Sequence, residues 1–255
     1  MKNILNLKNN ISFILTLALV LSFSCSTNDN DSSVGKLSMS ANAKFTNLTT
    51  NSSSSRVMNG NIAIEVFKLN LREFELELDI EDDDHQDDQD EQWDDDGYFD
   101  YQDEIELEGP FELDLISGQI NFSNVNVPMG VYEELEFKFD ASTDASSDLF
   151  GKSVLIEGTI DSTPFVFWHN FEDEVEVDFE DPQFDITISQ NTQGIVISFD
   201  LGQILNSVNG VDLTLASDGN NNGIIEISPE DTDGNNDLAE AIRHKIKEYI
   251  DLIDD

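Results

Sequence analysis

Near the C-terminal end, the run Asp218-Gly219-Asn220-Asn221-Asn222-Gly223-Ile224-Ile225-Glu226 sets oxygen-bearing side chains at relative positions one, three and five, glycine at six and an aliphatic residue at eight. Calcium takes six to eight oxygen ligands, and this is the spacing of the front half of a calcium loop, in which alternate side chains turn inward and the carbonyl at position seven, here Ile224, adds another oxygen. The position where a carboxylate normally closes the shell is Pro229, so the closing ligand is Glu226, Glu230 or nothing. Asp231, Asp233, Asn235 and Asp237 form a second alternate array just behind, which completes the first site or makes another. The expected cofactor is calcium, held among Asp218, Asn220, Asn222, Ile224, Glu226, Glu230, Asp231 and Asp233. With one formal carboxylate at the first three ligand positions, binding should be weak and structural, as in extracellular modules. The plainer reading is that Asp-Gly and Asn-Gly are turn formers.

No comparable constellation points to catalysis. The chain has no Gly-x-Ser-x-Gly elbow, no His-Glu-x-x-His and no glycine-rich phosphate loop, and its 3 histidines are scattered. Acid pairs are too numerous to single out one at catalytic separation, so the expectation is a non-enzyme, with a metal-assisted hydrolase of polysaccharide or phosphate ester as the alternative. Residues 81–104 interleave Trp93, Tyr98 and other aromatics with acidic runs; self-repulsion makes this a solvated loop, or a clamp for cations or a basic partner. Trp168, in the apolar run Phe165-Val166-Phe167-Trp168-His169, reads as core or as a platform for glycan. These three, Trp93, Tyr98 and Trp168, are the candidate ligand-binding aromatics. Arg243, His244, Lys245 and Lys247 gather scarce positive charge, most simply for pairing within the chain.

Acidic residues number 54 against 12 Lys plus Arg, a formal net charge of -42. Polyphosphate is repelled by such a surface, which excludes nucleic acid as a partner and favours cations and basic proteins. The opening segment has basic residues at Lys2 and Lys8, then runs apolar from Ile11 through Phe23 to Ser24-Cys25. That is a signal peptide, too short for a comfortable membrane span. Ser24 before the chain's one cysteine, with Leu21 upstream, resembles a lipobox, with Ser22 standing where leucine is usual. Cys25 is therefore the expected lipidation site, and a secreted domain with one cysteine forms no internal disulfide. The implied location is the cell envelope, as an outer-membrane-anchored lipoprotein on the surface or periplasmic face.

The elements that must position the loop are mostly strands. Alternation predicts them over 36–45, 61–81, 105–107, 111–115, 120–127, 132–139, 154–160, 165–169, 175–179, 184–188, 195–201 and 211–215, with turns at Gly109-Pro110, Pro128 to Gly130, Asp161 to Pro164, Asp181-Pro182 and Asn209-Gly210. Between 61 and 81 the apolar phase slips, which is the mark of a β-bulge. A C-terminal helix is predicted, capped by Asp237, with Leu238, Ile242, Ile246, Tyr249 and Ile253 as its stripe. The expected fold is an all-β, antiparallel β-sandwich with one C-terminal α-helix, after a cleaved N-terminal signal peptide. The chain divides into a signal peptide (1–24), a tether (25–35), an acidic sandwich (36–217) and the Asx-rich loop with its helix (218–255).

Phe111-Glu112-Leu113-Asp114-Leu115, Val127-Pro128-Met129-Gly130-Val131-Tyr132, the stretch from Ser153 to Thr163 with Ile156-Glu157-Gly158, and the tail from Asp218 through Asn236 together resemble a family of uncharacterised Bacteroidota lipoprotein domains. That family carries a domain of unknown function with a prealbumin-like or carboxypeptidase-regulatory-like β-sandwich. The resemblance implies fold and location, not activity. Taken together, the expectation is a membrane-anchored, calcium-stabilised binding or accessory module whose partner is an extracellular glycan or a basic protein.

Overall fold

The computed structural model describes residues 34–45, 56–58, 62–78, 104–178 and 185–254. The expected signal peptide, Cys25, the expected tether as far as residue 33, and residues 81–103 of the expected acidic loop, Trp93 and Tyr98 among them, lie outside the described residues. Val34–Asp255 forms one compact unit.

Two sheets make the sandwich expected from the alternation. In the smaller, β13 (Ile250–Asp254), β11 (Thr192–Asp200), β1 (Val34–Lys44) and β5 (Ile120–Pro128) lie in that order. The larger is built on β3 (Ile62–Leu78), whose two halves have different neighbours. Its first half pairs with β2 (Arg56–Met58) and β7 (Val154–Ile160), its second with β4 (Glu104–Asp114) and β6 (Gly130–Phe139). Beyond β6 come β9 (Glu174–Asp178) and β10 (Ile186–Ile188); beyond β7 come β8 (Thr163–His169) and β12 (Ile225–Ile227).

The change of neighbours follows from the apolar phase of β3. Its buried apolar residues run Ile62 and Ile64, then Phe67, Leu69 and Leu71, then Phe74 and Leu76. Each slip coincides with a register shift in which β3 carries one extra residue, at Ile64/Val66 against β7 and at Leu71/Phe74 against β6. One unpaired residue twists the strand and keeps its apolar side chains inward. Phe74 sits amid Phe111, Phe122 and Phe137, centroids 5.2 to 5.7 Å away, and Phe67 meets Phe199 edge-on at 6.1 Å. Phe122 and Phe199 belong to the smaller sheet, so these rings join the two layers; each such pair contributes roughly 0.5–1.5 kcal/mol beyond its burial.

Several expectations need correction. The sandwich is not wholly antiparallel: β1 runs parallel to β11 and β12 parallel to β8. The two strands expected around Gly109-Pro110 are one, β4, which sets both residues against Arg72 alone. A Cβ on Gly109 would lie 2.4 Å from the Arg72 carbonyl oxygen, and Pro110 has no N–H for the ladder, so a bulge replaces the expected turn. Residues 211–215 are not a strand. The Asp212 carboxylate accepts from the N–H and hydroxyl of Thr214 and winds Leu213–Leu215 into a short 3-10 helix. The C-terminal helix, α2 (Asn236–Glu248), has Asn235 rather than Asp237 at its N-cap and stops before Ile253, which lies in β13. A shorter helix, α1 (Leu201–Ile204), follows β11 and is capped by Asp200.

Helix α2 closes one side of the sandwich. The strand before it, β12, belongs to the larger sheet, the strand after it, β13, belongs to the smaller, and Ala239, Ile242 and Ile246 fill the core between them.

Candidate functional site

Two regions collect functional groups, the loops on either side of β12 and the outer face of the larger sheet. In the first, Asp218 Oδ1 accepts from the N–H of Asn222 at 3.0 Å and Oδ2 from that of Gly223 at 2.8 Å. Asn220 Oδ1 accepts from Asn222 N at 2.9 Å, and Asn222 Oδ1 from Ile224 N at 2.8 Å. Asn221 (φ 59) and Gly223 (φ 91) take the left-handed backbone that so tight a turn requires. The expected alternation is therefore realised: three side-chain oxygens fold over one stretch of backbone.

Residues past β12 tie this loop down. Asp233, 6% exposed, accepts from Asn220 N at 3.1 Å through Oδ1 and from Glu226 N at 2.8 Å through Oδ2. Asn235 Nδ2 donates to the carbonyls of Ser217 and Glu226, while its Oδ1 accepts from Ser217 N. Glu226 Oε2 takes the amides of Asn220 at 3.1 Å and Asn222 at 3.4 Å. Asp218, Asn220, Asn222, Ile224, Glu226 and Asp233 are thus brought together. Glu230 and Asp231 lie on the exposed turn between β12 and α2. Among the described residues, no three His, Cys, Asp or Glu side chains are grouped to hold a metal ion. A cation here would rest on the Asp218 carboxylate with amide and carbonyl oxygens, a donor set that fits calcium and not a softer metal.

The second region was hidden in the strand alternation. Where β3 and its neighbours turn apolar side chains inward, they turn glutamates outward, and the register sets these directly opposite one another. Glu106 faces Glu75, Glu75 faces Glu136, and Glu136 faces Glu176, across four strands. In the adjoining rows Glu108 faces Glu73, and Glu77 faces Glu134. Opposed side chains sit about 4.5–5.5 Å apart at Cβ, and like charges there repel.

Among the described residues, Lys138 is the lysine set within these rows, and Arg72 borders them at the bulge. Lys138 Nζ lies 3.5 Å from Glu73, 3.5 Å from Glu75, 3.4 Å from Glu136 and 3.9 Å from Glu174. Crowding has the expected effect on proton affinity. Burial, reinforced by Glu174 and Glu75, pushes the Glu136 carboxyl up to about 7, against the pull of Lys138. Burial also raises Glu75 and Glu106, with Glu73 adding to both. At the bulge, Arg72, Glu73, Glu106, Glu108 and Gly109 line a groove of about 220 Å³.

Trp168 lies on β8 opposite Leu155 and is half-buried, its neighbours Phe167 and His169 pointing into the core. Arg243 and Lys245, of the basic cluster, pair within the chain, with Asp173 and Glu248 respectively.

No protein-family model and no curated protein matches the chain. Among solved structures, MbnP from Methylosinus trichosporium is similar over 87% of this chain and 98% of its own, at 12% identity and a TM-score of 0.31. A likeness at that TM-score carries no argument about function.

Proposed function

We propose that the chain is an extracytoplasmic, lipid-anchored and non-catalytic module that holds calcium in its Asx-rich loop and binds a polycationic protein partner on the outer face of its larger sheet. The observation that carries the binding part is the register-matched glutamate array. Opposed carboxylates cost stability in isolation, and among the described residues Lys138 is their one lysine or arginine within the rows. A partner bearing several Lys or Arg side chains supplies the missing countercharge. Among the described residues, α1, α2 and the smaller sheet pack against the opposite, apolar face, so none of them screens the array.

The test uses Val34–Asp255, which contains the whole described core, and a fluorescent deca-lysine peptide as probe. Reversing Glu75, Glu106 and Glu134 to lysine should weaken binding at least about tenfold. Reversing Asp161, Asp237 and Glu248, all exposed and placed on the β7–β8 turn and on α2, should weaken it no more than about twofold. Equal losses in the two triple variants would reduce the effect to net charge and remove the face as a site. The anchor has its own readout: Cys25→Ser should move the protein from the membrane fraction to the soluble fraction of the producing cells.

A second reading, a carboxylate-based hydrolase, is favoured by one feature, the groove at the bulge, where Glu106 holds its proton more tightly than an ordinary glutamate. The groove has no apolar wall to hold a substrate, its lining being one arginine, three glutamates and a glycine. Turnover of aryl glycosides or phosphate esters that disappears in Glu106→Gln would establish this reading over the first.

A further inference from the structure

His169 ends β8 and is 4% exposed. Its backbone is fixed by β7, because its carbonyl accepts from Ser153 N at 2.8 Å and from the Ser153 hydroxyl at 3.2 Å. Its ring reaches the other way, to α2, with Nε2 3.2 Å from Glu240 Oε1. Glu240 Oε2 accepts from Arg243 Nη1 at 3.2 Å. Arg243 in turn grips Asp173, on the connection between β8 and β9, by two bonds of 2.7 and 2.8 Å. The Phe171 ring lies between, 5.2 Å from the imidazole and 5.6 Å from the guanidinium. Nδ1 is buried without a hydrogen-bond partner.

We propose that His169 is an acid-sensitive latch: its neutral ring holds the C-terminal helix against the end of β8, and uptake of a proton releases it. The neutral ring suits the site, since Nε2–H donates to Glu240 and the buried Nδ1, in a ring packed beside Phe171, keeps a lone pair that needs no donor. Protonation creates a second N–H at Nδ1 with no acceptor in reach, a buried donor left unpaired. The ring must then turn out or the helix must lift.

The charges around the ring are Glu240 and Arg243 from α2 and Asp173 from the β8–β9 connection, with Lys247 of α2 acting on Asp173. The two carboxylates favour the imidazolium, burial and Arg243 oppose it, and burial is the largest effect, so the pKa falls below its ordinary 6.5. The unfolded chain then binds the proton more readily than the folded one. Stability contributed by the neutral ring is complete above about 6.5 and is lost as pH falls from there through the lowered folded value. Release would expose Ile242 and Ile246, which belong to the core, and would loosen β13, which follows the helix and borders β11. The switch is therefore one of exposed apolar surface.

Hydrogen exchange of residues 236–248 in Val34–Asp255, corrected for the intrinsic pH dependence of exchange, tests this directly. Between pH 7.5 and 5.0, protection of α2 should drop at least about tenfold more than that of β3. In His169→Gln, whose amide donates to Glu240 but does not titrate, the ratio should change less than about twofold. A wild-type helix that keeps its protection, or a glutamine variant that loses as much as wild type, overturns the proposal. If the variant does not fold, the imidazole resonances of wild type decide: a folded-state pKa at or above 6.5 overturns it, and one below supports it.

Discussion

Asp233→Ala should destabilise Val34–Asp255 by about 3 kcal/mol without calcium and should abolish any calcium response. Both oxygens of this buried carboxylate accept from backbone N–H groups, at Asn220 and at Glu226, on opposite sides of the loop. Charge-assisted bonds of this kind contribute about 1.5–3 kcal/mol each, and alanine leaves both donors unpaired in a place water reaches poorly. The close fit leaves little scope for relaxation, since a Cβ on Gly219 would stand 2.3 Å from the Asp233 carbonyl oxygen. Urea unfolding monitored by tryptophan fluorescence gives the value; a loss under about 1 kcal/mol would show that the two loops hold together without this carboxylate.

Calcium adds a second, separable readout. With a dissociation constant in the 0.1–1 mM range typical of weak extracellular sites, 10 mM calcium should stabilise the wild type by about 1.4–2.7 kcal/mol. For a domain of this length that corresponds to roughly 3–10 °C in melting temperature. Magnesium at the same ionic strength should do much less, since it demands a tighter octahedral shell. Asp218→Ala leaves the Asp233 ties in place and should lose the calcium shift at a smaller cost in basal stability. Identical shifts with the two cations, unchanged in Asp218→Ala, would leave the loop as a turn and keep Asp233 as its structural tie.

Parts of this arrangement are legible in the residues because they depend on neighbours in sequence. The slips in β3 show as changes of apolar parity at Val66–Phe67 and at Leu71–Phe74, and the loop shows as alternate Asx residues around Gly223. The β7–β8 hairpin shows at Asp161 and Ser162, whose φ of 50 and 71 make the two-residue turn that suits twisted strands. What escapes is what a distant partner decides. Val211, Leu213 and Leu215 alternate like a strand, yet Asp212 closes a turn on Thr214 and leaves Leu215 70% exposed. Ile253 keeps the helical stripe of α2, yet β11 offers a sheet edge and the chain pairs with it, Ile250 opposite Phe199. The glutamate array is half-legible. Its outward alternation is plain in Glu73, Glu75 and Glu77, but only the pairing of β4, β6 and β9 shows that carboxylate meets carboxylate in every row.

That array predicts an inverted pH profile for one variant. Lys138→Met should cost about 2 kcal/mol above pH 8 and clearly less as pH falls through 7, where Glu136 takes up a proton, because the lysine, itself partly solvated, is the charge that offsets four adjacent carboxylates. As Glu136 and Glu75, whose carboxyls are raised, take up protons, less repulsion remains for it to offset, and a methionine stem covers the same apolar surface. The wild type carries the same signature in weaker form. Glu136 has a folded pKa of about 7, above its unfolded value near 4.5, so the stability it contributes is complete below 4.5 and is lost as pH rises through 7. Glu136→Gln should therefore stabilise the domain by about 1 kcal/mol at pH 8, discounted for solvent screening, and be nearly neutral at pH 4.5. Added salt should shrink both effects. The profile runs opposite to that of His169, whose contribution is lost on acidification, so the two groups separate in a single titration of stability against pH. A Lys138→Met cost that is independent of pH and salt would locate the lysine's role in packing and would remove the electrostatic strain on which the binding face rests.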